Sequence, residues 1–449
     1  MRGARRARAC GDFIRCGFPC ARSRIRHPQP RRPPPALSFA TAVFAAVYLG
    51  MLLGRFPRLA LDRTGIALLG AIALLASGTT SLAEAGRAVD VPTLALLFGL
   101  MVVSAQLRLG GFYARVAAAL AALPVAPAHL LALIIAAVGA LSAVFSNDVV
   151  CLAVAPVLID ACAHRRLDPV PFLLALACAA NVGSAATLIG NPQNMLIGQT
   201  LRLSFTHYLA QAALPTVAGL VAVWAVVALQ VRGRWTASSI GGAAAGPIAA
   251  ESNAEFDRWQ TAKGLGVATL LLVVFLATDW PRELAALAGA GALLTSRKLH
   301  SRATLGLVDW QLLVLFIGLF VVNGAFAATG LPAALLGGAK ARGLDLRHPA
   351  SLFIATVLLS NAVSNVPAVM LLLPLASQRA DGPLLALAST LAGNLFVAGS
   401  IANIIVVDAA ARRGIEIDWL RHARTGVPVT LSTLALAALA LWAESAHAA

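Results

Sequence analysis

Residues 190 to 194 read Gly-Asn-Pro-Gln-Asn, inside a run from 170 to 198 whose other members are almost all apolar. Carboxamides such as Asn191, Gln193 and Asn194 offer neutral oxygens and N–H donors, and the glycine and proline around them interrupt a helix and free backbone carbonyls and amides. Such a break is an oxygen-rich site for a hard cation or a small anion. Residues 399 to 403, Gly-Ser-Ile-Ala-Asn, repeat the pattern with Gly399, Ser400 and Asn403 where the first copy has Gly190, Asn191 and Asn194. Two more polar clusters interrupt apolar stretches: Ser142, Ser146, Asn147 and Asp148 within 128 to 163, and Ser360, Ser364 and Asn365 within 349 to 378. Ser142 and Ser146 stand one helical turn apart, so on a continuous helix they share a face. With Asn147 and Asp148, where that helix stops, they gather hydroxyl, amide and carboxylate oxygens suited to Na⁺. The second cluster lacks the carboxylate, because Val366 stands where Asp148 does.

The elements that position these residues lie in lipid. The chain is 59% hydrophobic and 12% charged, with mean hydropathy +0.81, where soluble domains carry about 25% charged residues. Runs long enough to cross the roughly 30 Å hydrocarbon layer recur near 36–54, 64–80, 91–107, 170–198, 204–229, 262–279, 282–296, 309–329, 382–407 and 422–443. The stretches 128–163 and 349–378, each broken by polar residues, read as helical hairpins. Polar side chains and irregular backbone are tolerated at membrane depth only where protein or a wet cavity covers them.

The sequence repeats itself. From Asp90, "DVPTLALLFGLMVVSAQ" lies over "DWQLLVLFIGLFVVNGA" from Asp309, an offset of 219 that matches Gly99 to Gly318. At 218, Ser142, Ser146, Asn147 and Pro156 fall on Ser360, Ser364, Asn365 and Pro374, and at 209 Gly190 and Asn194 fall on Gly399 and Asn403. Packing alone does not demand one polar cluster twice at one register. Each unit holds five crossings and one re-entrant hairpin, an odd number, so the second copy is expected inverted, with the site near the midplane. The expected organisation is an all-α polytopic membrane protein: an Arg/Pro-rich tail at 1–35, a first repeat at 36–229, a Gly, Ala and Ser-rich cytoplasmic linker at 230–261, and a second, inverted repeat at 262–445.

These residues carry a resemblance. "SAVFSNDVVCLAVAP" with "NVGSAATLIGNPQNMLIG", then "LSNAVSNVPAVMLLLP" with "TLAGNLFVAGSIANIIV", resembles the ion transporter superfamily of divalent-anion/sodium symporters, citrate and arsenite permeases and one family of sodium/proton antiporters. The resemblance spans residues 40 to 445 and is nearest the bacterial citrate and arsenite permeases. It implies a multi-pass protein of the bacterial inner membrane, a homodimer whose transport domain moves as an elevator, with a site built from hairpin tips (Ser146, Asn147, Asp148, Ser364, Asn365) and unwound helices (190–194, 399–403). It implies secondary transport of a small anion or inorganic solute coupled to Na⁺ or H⁺, with no further cofactor. Arsenite or antimonite efflux, sodium/proton antiport and a channel are the alternatives. Dicarboxylate carriers of this superfamily have Ser-Asn-Thr at both tips, and here Asp148 and Val366 replace the threonines. An ionised Asp148 repels a dicarboxylate in a low-dielectric site, which disfavours succinate-type substrates unless a proton or a cation covers it.

Other residues read differently. Asn181, Ser184 and Asn394 suit interhelical hydrogen bonds equally well, and Asp148 suits a helix N-cap as well as an ion. Cys151, Cys162 and Cys178 read as helix packing, and Cys10, Cys16 and Cys20 fall in the tail. None of the three lysines, Lys263, Lys298 and Lys340, follows a glycine, so no Walker A loop is present, and an ATPase partner enters only for an arsenite-type system. No His-Glu pair of a zinc protease and no Gly-x-Ser-x-Gly is present. The net charge of +16 owes much to ten arginines within residues 1–35, and in a membrane protein it reads as topology and lipid contact, not nucleic-acid binding. Outside the tail, Lys and Arg concentrate on the side of 164–169 and the linker, which places that side in the cytoplasm. Ten crossings then put both ends outside, against the preference of the tail.

Overall fold

A computed structural model describes residues 38–54, 61–236, 256–376 and 380–448. The Arg/Pro-rich tail, its three cysteines and the middle of the linker lie outside these residues. The described residues form twenty α-helices and two short 3-10 turns, with no strand beyond an isolated bridge between Leu167 and Thr236.

The first ten helices are α1 (Phe39–Leu53), α2 (Arg63–Ala76), α3 (Leu82–Ala88), α4 (Val91–Leu109), α5 (Phe112–Ala121), α6 (Pro127–Val144), α7 (Asn147–His164), α8 (Pro169–Ser184), α9 (Pro192–Thr200) and α10 (Phe205–Val231). The next ten recur in the same order: α11 (Arg258–Ala277), α12 (Arg282–Leu294), α13 (Ser301–Leu305), α14 (Trp310–Ala328), α15 (Leu331–Ala341), α16 (Pro349–Val363), α17 (Asn365–Leu372), α18 (Asp381–Ala392), α19 (Ile401–Ala411) and α20 (Trp419–Ala448). Helices α5 and α15, absent from the span assignment above, are matched to each other as well. The caps repeat too: Asp90 accepts from the Thr93 amide and Asp309 from the Leu312 amide, each at 2.9 Å, satisfying donors that a helix start leaves free. The short α3 begins with a capping box in which Ser81 and Glu84 exchange bonds, and those bonds hold the Glu84 carboxyl below its ordinary range.

Seven helices among the described residues are long and apolar enough to cross a membrane: α4, α6, α7, α10, α11, α14 and α20. On α10 the side chains of Leu214, Val217 and Val221 are exposed, which fits lipid as the solvent on that face. Trp419 and Trp442, both exposed on α20, are about 35 Å apart along the helix, and fit the two aromatic belts of a bilayer.

Two packing groups organise the bundle. Helices α1 to α4 pack chiefly on α11 to α14, while α6 to α10 pack on one another, α6 against α8 above all, and through α7 to α10 on α17 to α20. In the first group two close approaches are reciprocal. A Cβ on Gly99 would come within 2.8 Å of the Ala286 Cβ, and one on Gly318 within 3.0 Å of the Ala67 Cβ; both pairs are related by the offset of 219. Glycine is required at both places because another backbone occupies the space of a side chain.

The stretch 128–163 is a hairpin. Arg165, just beyond α7, donates to the carbonyls of Leu123 and Val125, just before α6, so the chain leaves beside its point of entry. Each limb has 18 residues, about 27 Å of helix. The base of α7 is also paired, through Asp160, with Arg413 beyond α19.

Candidate functional site

The tips and the broken helices meet in the second packing group, and the structure refines how the sequence pictured them. Helix α6 stops at Val144, Phe145 is extended, and α7 resumes at Asn147. Ser142 and Ser146 therefore do not share the face of one helix, because the helix ends between them. Asp148 is not the N-cap either: Ser146 holds that place, and Asp148 lies in the first turn of α7, where the helix dipole favours a negative charge. Its side chain is half-buried. Likewise Pro192 starts α9 rather than ending α8, the break running from Ala185 to Asn191.

The broken helices satisfy their own freed carbonyls. The Asn194 carboxamide donates to the carbonyls of Ser184 (3.3 Å) and Thr187 (3.0 Å), and Asn403 donates to those of Gly393 (2.8 Å) and Phe396 (3.1 Å). The next carbonyl in each break finds a partner from a neighbouring helix: Ala185 from the Tyr208 hydroxyl at 2.8 Å, and Asn394 from His422 Nε2 at 3.1 Å. A carbonyl only accepts, so His422 carries its proton on Nε2 there. Gly190 and Gly399 allow the tight fold: a Cβ would lie 2.2 Å from the Ser184 oxygen in one and 2.9 Å from the Gly393 oxygen in the other. The side chains of Asn191 and Ser400 are engaged as well, each capping the following helix. The sequence-level picture of freed carbonyls facing a cation is thus altered: these carbonyls face asparagines.

Oxygens without partners stand at the hairpin tips. Ser142 Oγ, Asn147 Oδ1, Ser360 Oγ and Asn365 Oδ1 are buried and have no hydrogen-bond partner in the protein. They are two matched pairs at the offset of 218. A buried acceptor left unmade costs about 1–3 kcal/mol, and incurring that twice at one register marks a place where something else supplies the contact. Asn361 Oδ1, on α16 just before the second tip, is another buried oxygen without a partner, close to where a Cβ on Gly399 would sit (3.3 Å). The second tip is also strained, since Ser364 holds φ 78° and ψ 160°, a region nearly reserved for glycine. Both α7 and α17 begin at the tips without a side-chain cap, leaving amide N–H groups for an anion beside oxygens for a cation.

Three residues that sequence reasoning left aside or gave a packing role belong to this cluster. Asn181 accepts from Asn147, Asn394 accepts from Asn181, and Thr390 meets the first broken helix. The signal for Thr390 was its match to Asn181 at the offset of 209, the same offset that relates the two breaks. Cys151, Cys162 and Cys178 are buried free thiols.

A helical bundle in two matched halves, with broken helices around a buried polar cluster, defines a polytopic membrane transporter. The citrate transporter family model matches residues 44–392, and the chain belongs to that family. The silicon efflux transporter LSI3 of Oryza sativa subsp. japonica is 28% identical over 470 residues, covering 90% of this chain and 97% of that one. An uncharacterized transporter of Mycobacterium tuberculosis is 30% identical over 383 residues, covering 80% and 87%. The crystal structure of the YdaH transporter of Alcanivorax borkumensis, with a TM-score of 0.52 and 17% identity, covers 90% of this chain and 98% of its own, and shares the fold.

Proposed function

We propose that this chain is a secondary active transporter of the bacterial inner membrane that moves a small anion or a weak inorganic oxyacid, coupled to Na⁺ or H⁺ through the hairpin tips. The observation that carries the reading is the set of unpartnered oxygens repeated at the two tips, Ser142 with Asn147 and Ser360 with Asn365. Oxygen acceptors suit a hard cation directly. They also suit a solute that donates hydrogen bonds, as uncharged hydroxyl-bearing oxyacids do, and the rice relative is named for silicon efflux. An anion would be held by the uncapped starts of α7 and α17, beside a cation on the tip oxygens. Asp148 is the carboxyl group of the first tip, and we assign it the binding of Na⁺ or H⁺ in competition.

The reciprocal contacts Gly99–Ala286 and Gly318–Ala67 support the inverted-repeat reading, and the two packing groups support an elevator in which α6–α10 and α16–α20 move against α1–α4 and α11–α14. Dimerisation would run through the latter group.

The test is uptake into proteoliposomes of silicic acid, arsenious acid, citrate and succinate, under a Na⁺ gradient, a pH gradient or neither. Saturable uptake of one solute driven by one gradient, lost in Asn147→Ala and Asn365→Ala proteins that still fold, is expected. Flux proportional to concentration and indifferent to both gradients would instead make the chain a channel.

A further inference from the structure

Asn181 on α8 and Thr390 on α18 stand at matching positions, 209 residues apart, and are both buried. Each binds the broken helix of the other repeat. Thr390 Oγ1 accepts from Asn191 Nδ2 at 3.1 Å and Gln193 Nε2 at 3.2 Å, and donates to Asn194 Oδ1 at 3.3 Å. Asn181 Oδ1 accepts from Ser400 Oγ at 2.8 Å and from Asn147 Nδ2 at 3.0 Å, while its Nδ2 donates to Asn394 Oδ1 at 2.8 Å and Asn403 Oδ1 at 3.2 Å. All four hydrogen-bonding positions of the Asn181 carboxamide are therefore in use, more than helix packing in a membrane asks of one asparagine.

The consequence falls on Asn147. Because its Nδ2 is committed to Asn181, its oxygen is turned to the other side, where it has no partner. Asn181 thus fixes which end of the Asn147 amide a ligand meets, and the same carboxamide holds Ser400 and Asn403 of the opposite repeat. A cation drawing on Asn147 Oδ1 polarises its N–H bonds and strengthens the bond to Asn181, as linked hydrogen bonds do.

We propose that Asn181 and Thr390 are positioning residues that cross-brace the two half-sites, so that occupancy of the first hairpin tip is transmitted through Asn181 to the second broken helix, with Thr390 holding the first broken helix from the opposite side. The proposal rests on the tips being the ion site.

The experiment uses the purified full chain and two measurements. In the first, thermal stability is titrated with NaCl at constant ionic strength for the wild type, Asn147→Ala, Asn181→Ala, Thr390→Val and Thr390→Ser. Thr390→Val keeps the shape and removes the hydroxyl. Loss of one net hydrogen bond in the brace raises the Na⁺ midpoint about fivefold in Asn181→Ala and Thr390→Val, and Thr390→Ser restores it, which a mere packing role would not do. In the second, maleimide labelling of Cys151 and Cys178 is followed with Cys10, Cys16 and Cys20 replaced by serine. Cys178 lies in the last turns of α8, its carbonyl accepting from Asn394, and its labelling accelerates about fivefold in Asn181→Ala as the brace opens. Wild-type midpoints and wild-type labelling rates in both Asn181→Ala and Thr390→Val would overturn the proposal. Where sodium moves neither the wild type nor Asn147→Ala, the sodium assignment fails by itself and the labelling rates alone decide the brace.

Discussion

Asn194 and Asn403, 209 residues apart, make the same pair of bonds, each carboxamide donating to the carbonyls ten and seven residues before it in a helix that has come apart. The break is therefore held open by a side chain from the next helix and is no loose segment. This explains why both copies keep asparagine there while the residues between vary, Pro192 and Gln193 facing Ile401 and Ala402.

Replacing Asn194 by alanine leaves the Thr187 carbonyl without a partner, and replacing Asn403 leaves the Gly393 carbonyl so, because Ser184 still accepts from Asn191 and Phe396 from the Gly399 amide; each loss costs about 1–3 kcal/mol. Asn194→Ala is expected to lose more than Asn403→Ala, because it also loses contacts with both Tyr208 and Thr390, where Asn403 loses beyond its carbonyls only the bond from Asn181. Thermal denaturation in detergent measures the order. Two variants as stable as the wild type would show that water or lipid takes over the carbonyls.

The glycines of the breaks should rank by the space they lack. Gly190→Ala places a methyl 2.2 Å from the Ser184 oxygen, with no flexible side chain to yield, whereas Gly399→Ala meets the Gly393 oxygen at 2.9 Å. We expect Gly190→Ala to abolish folding or transport and Gly399→Ala to retain folded protein with reduced transport. Size-exclusion chromatography with uptake checks this, and the reverse order would mean that the first break relaxes more easily than the second.

Asp148 should set the pH dependence. A carboxylate that binds Na⁺ or H⁺ in competition raises the Na⁺ concentration needed for half-maximal flux as pH falls. Asp148→Asn keeps the size and removes the charge, so its flux is expected to lose dependence on pH while solute still binds. Flux is measured against pH and Na⁺ side by side with the wild type. Superimposable curves would reduce Asp148 to a charge that stabilises the start of α7, an effect of about 0.3–1 kcal/mol.

The linker at 230–261 should face the cytoplasm, because the Lys and Arg of the short loops concentrate on its side. Reporter fusions within it are expected to give a cytoplasmic signal. A periplasmic signal would turn the whole bundle over and put the tail arginines on the side they favour.

The sequence by itself determined the solvent, the repeat and the polar clusters. Hydropathy is a sum over local residues, so it needs no knowledge of contacts, and an offset that aligns Asp90 with Asp309 and Asn147 with Asn365 is visible without a fold. What it could not supply was the partner of each polar atom. Reading Ser142 and Ser146 as one helical face assumed a helix that in fact ends at Val144, and reading the freed carbonyls as ligands assumed that nothing nearer would claim them. Only the tertiary structure decided that Asn194 and Asn403 consume those carbonyls, that the tip oxygens of Ser142, Asn147, Ser360 and Asn365 are left over, and that Asn181 and Thr390 reach across to the opposite repeat. A hydrogen bond depends on distance and direction between groups some two hundred residues apart, and periodicity along one chain carries neither.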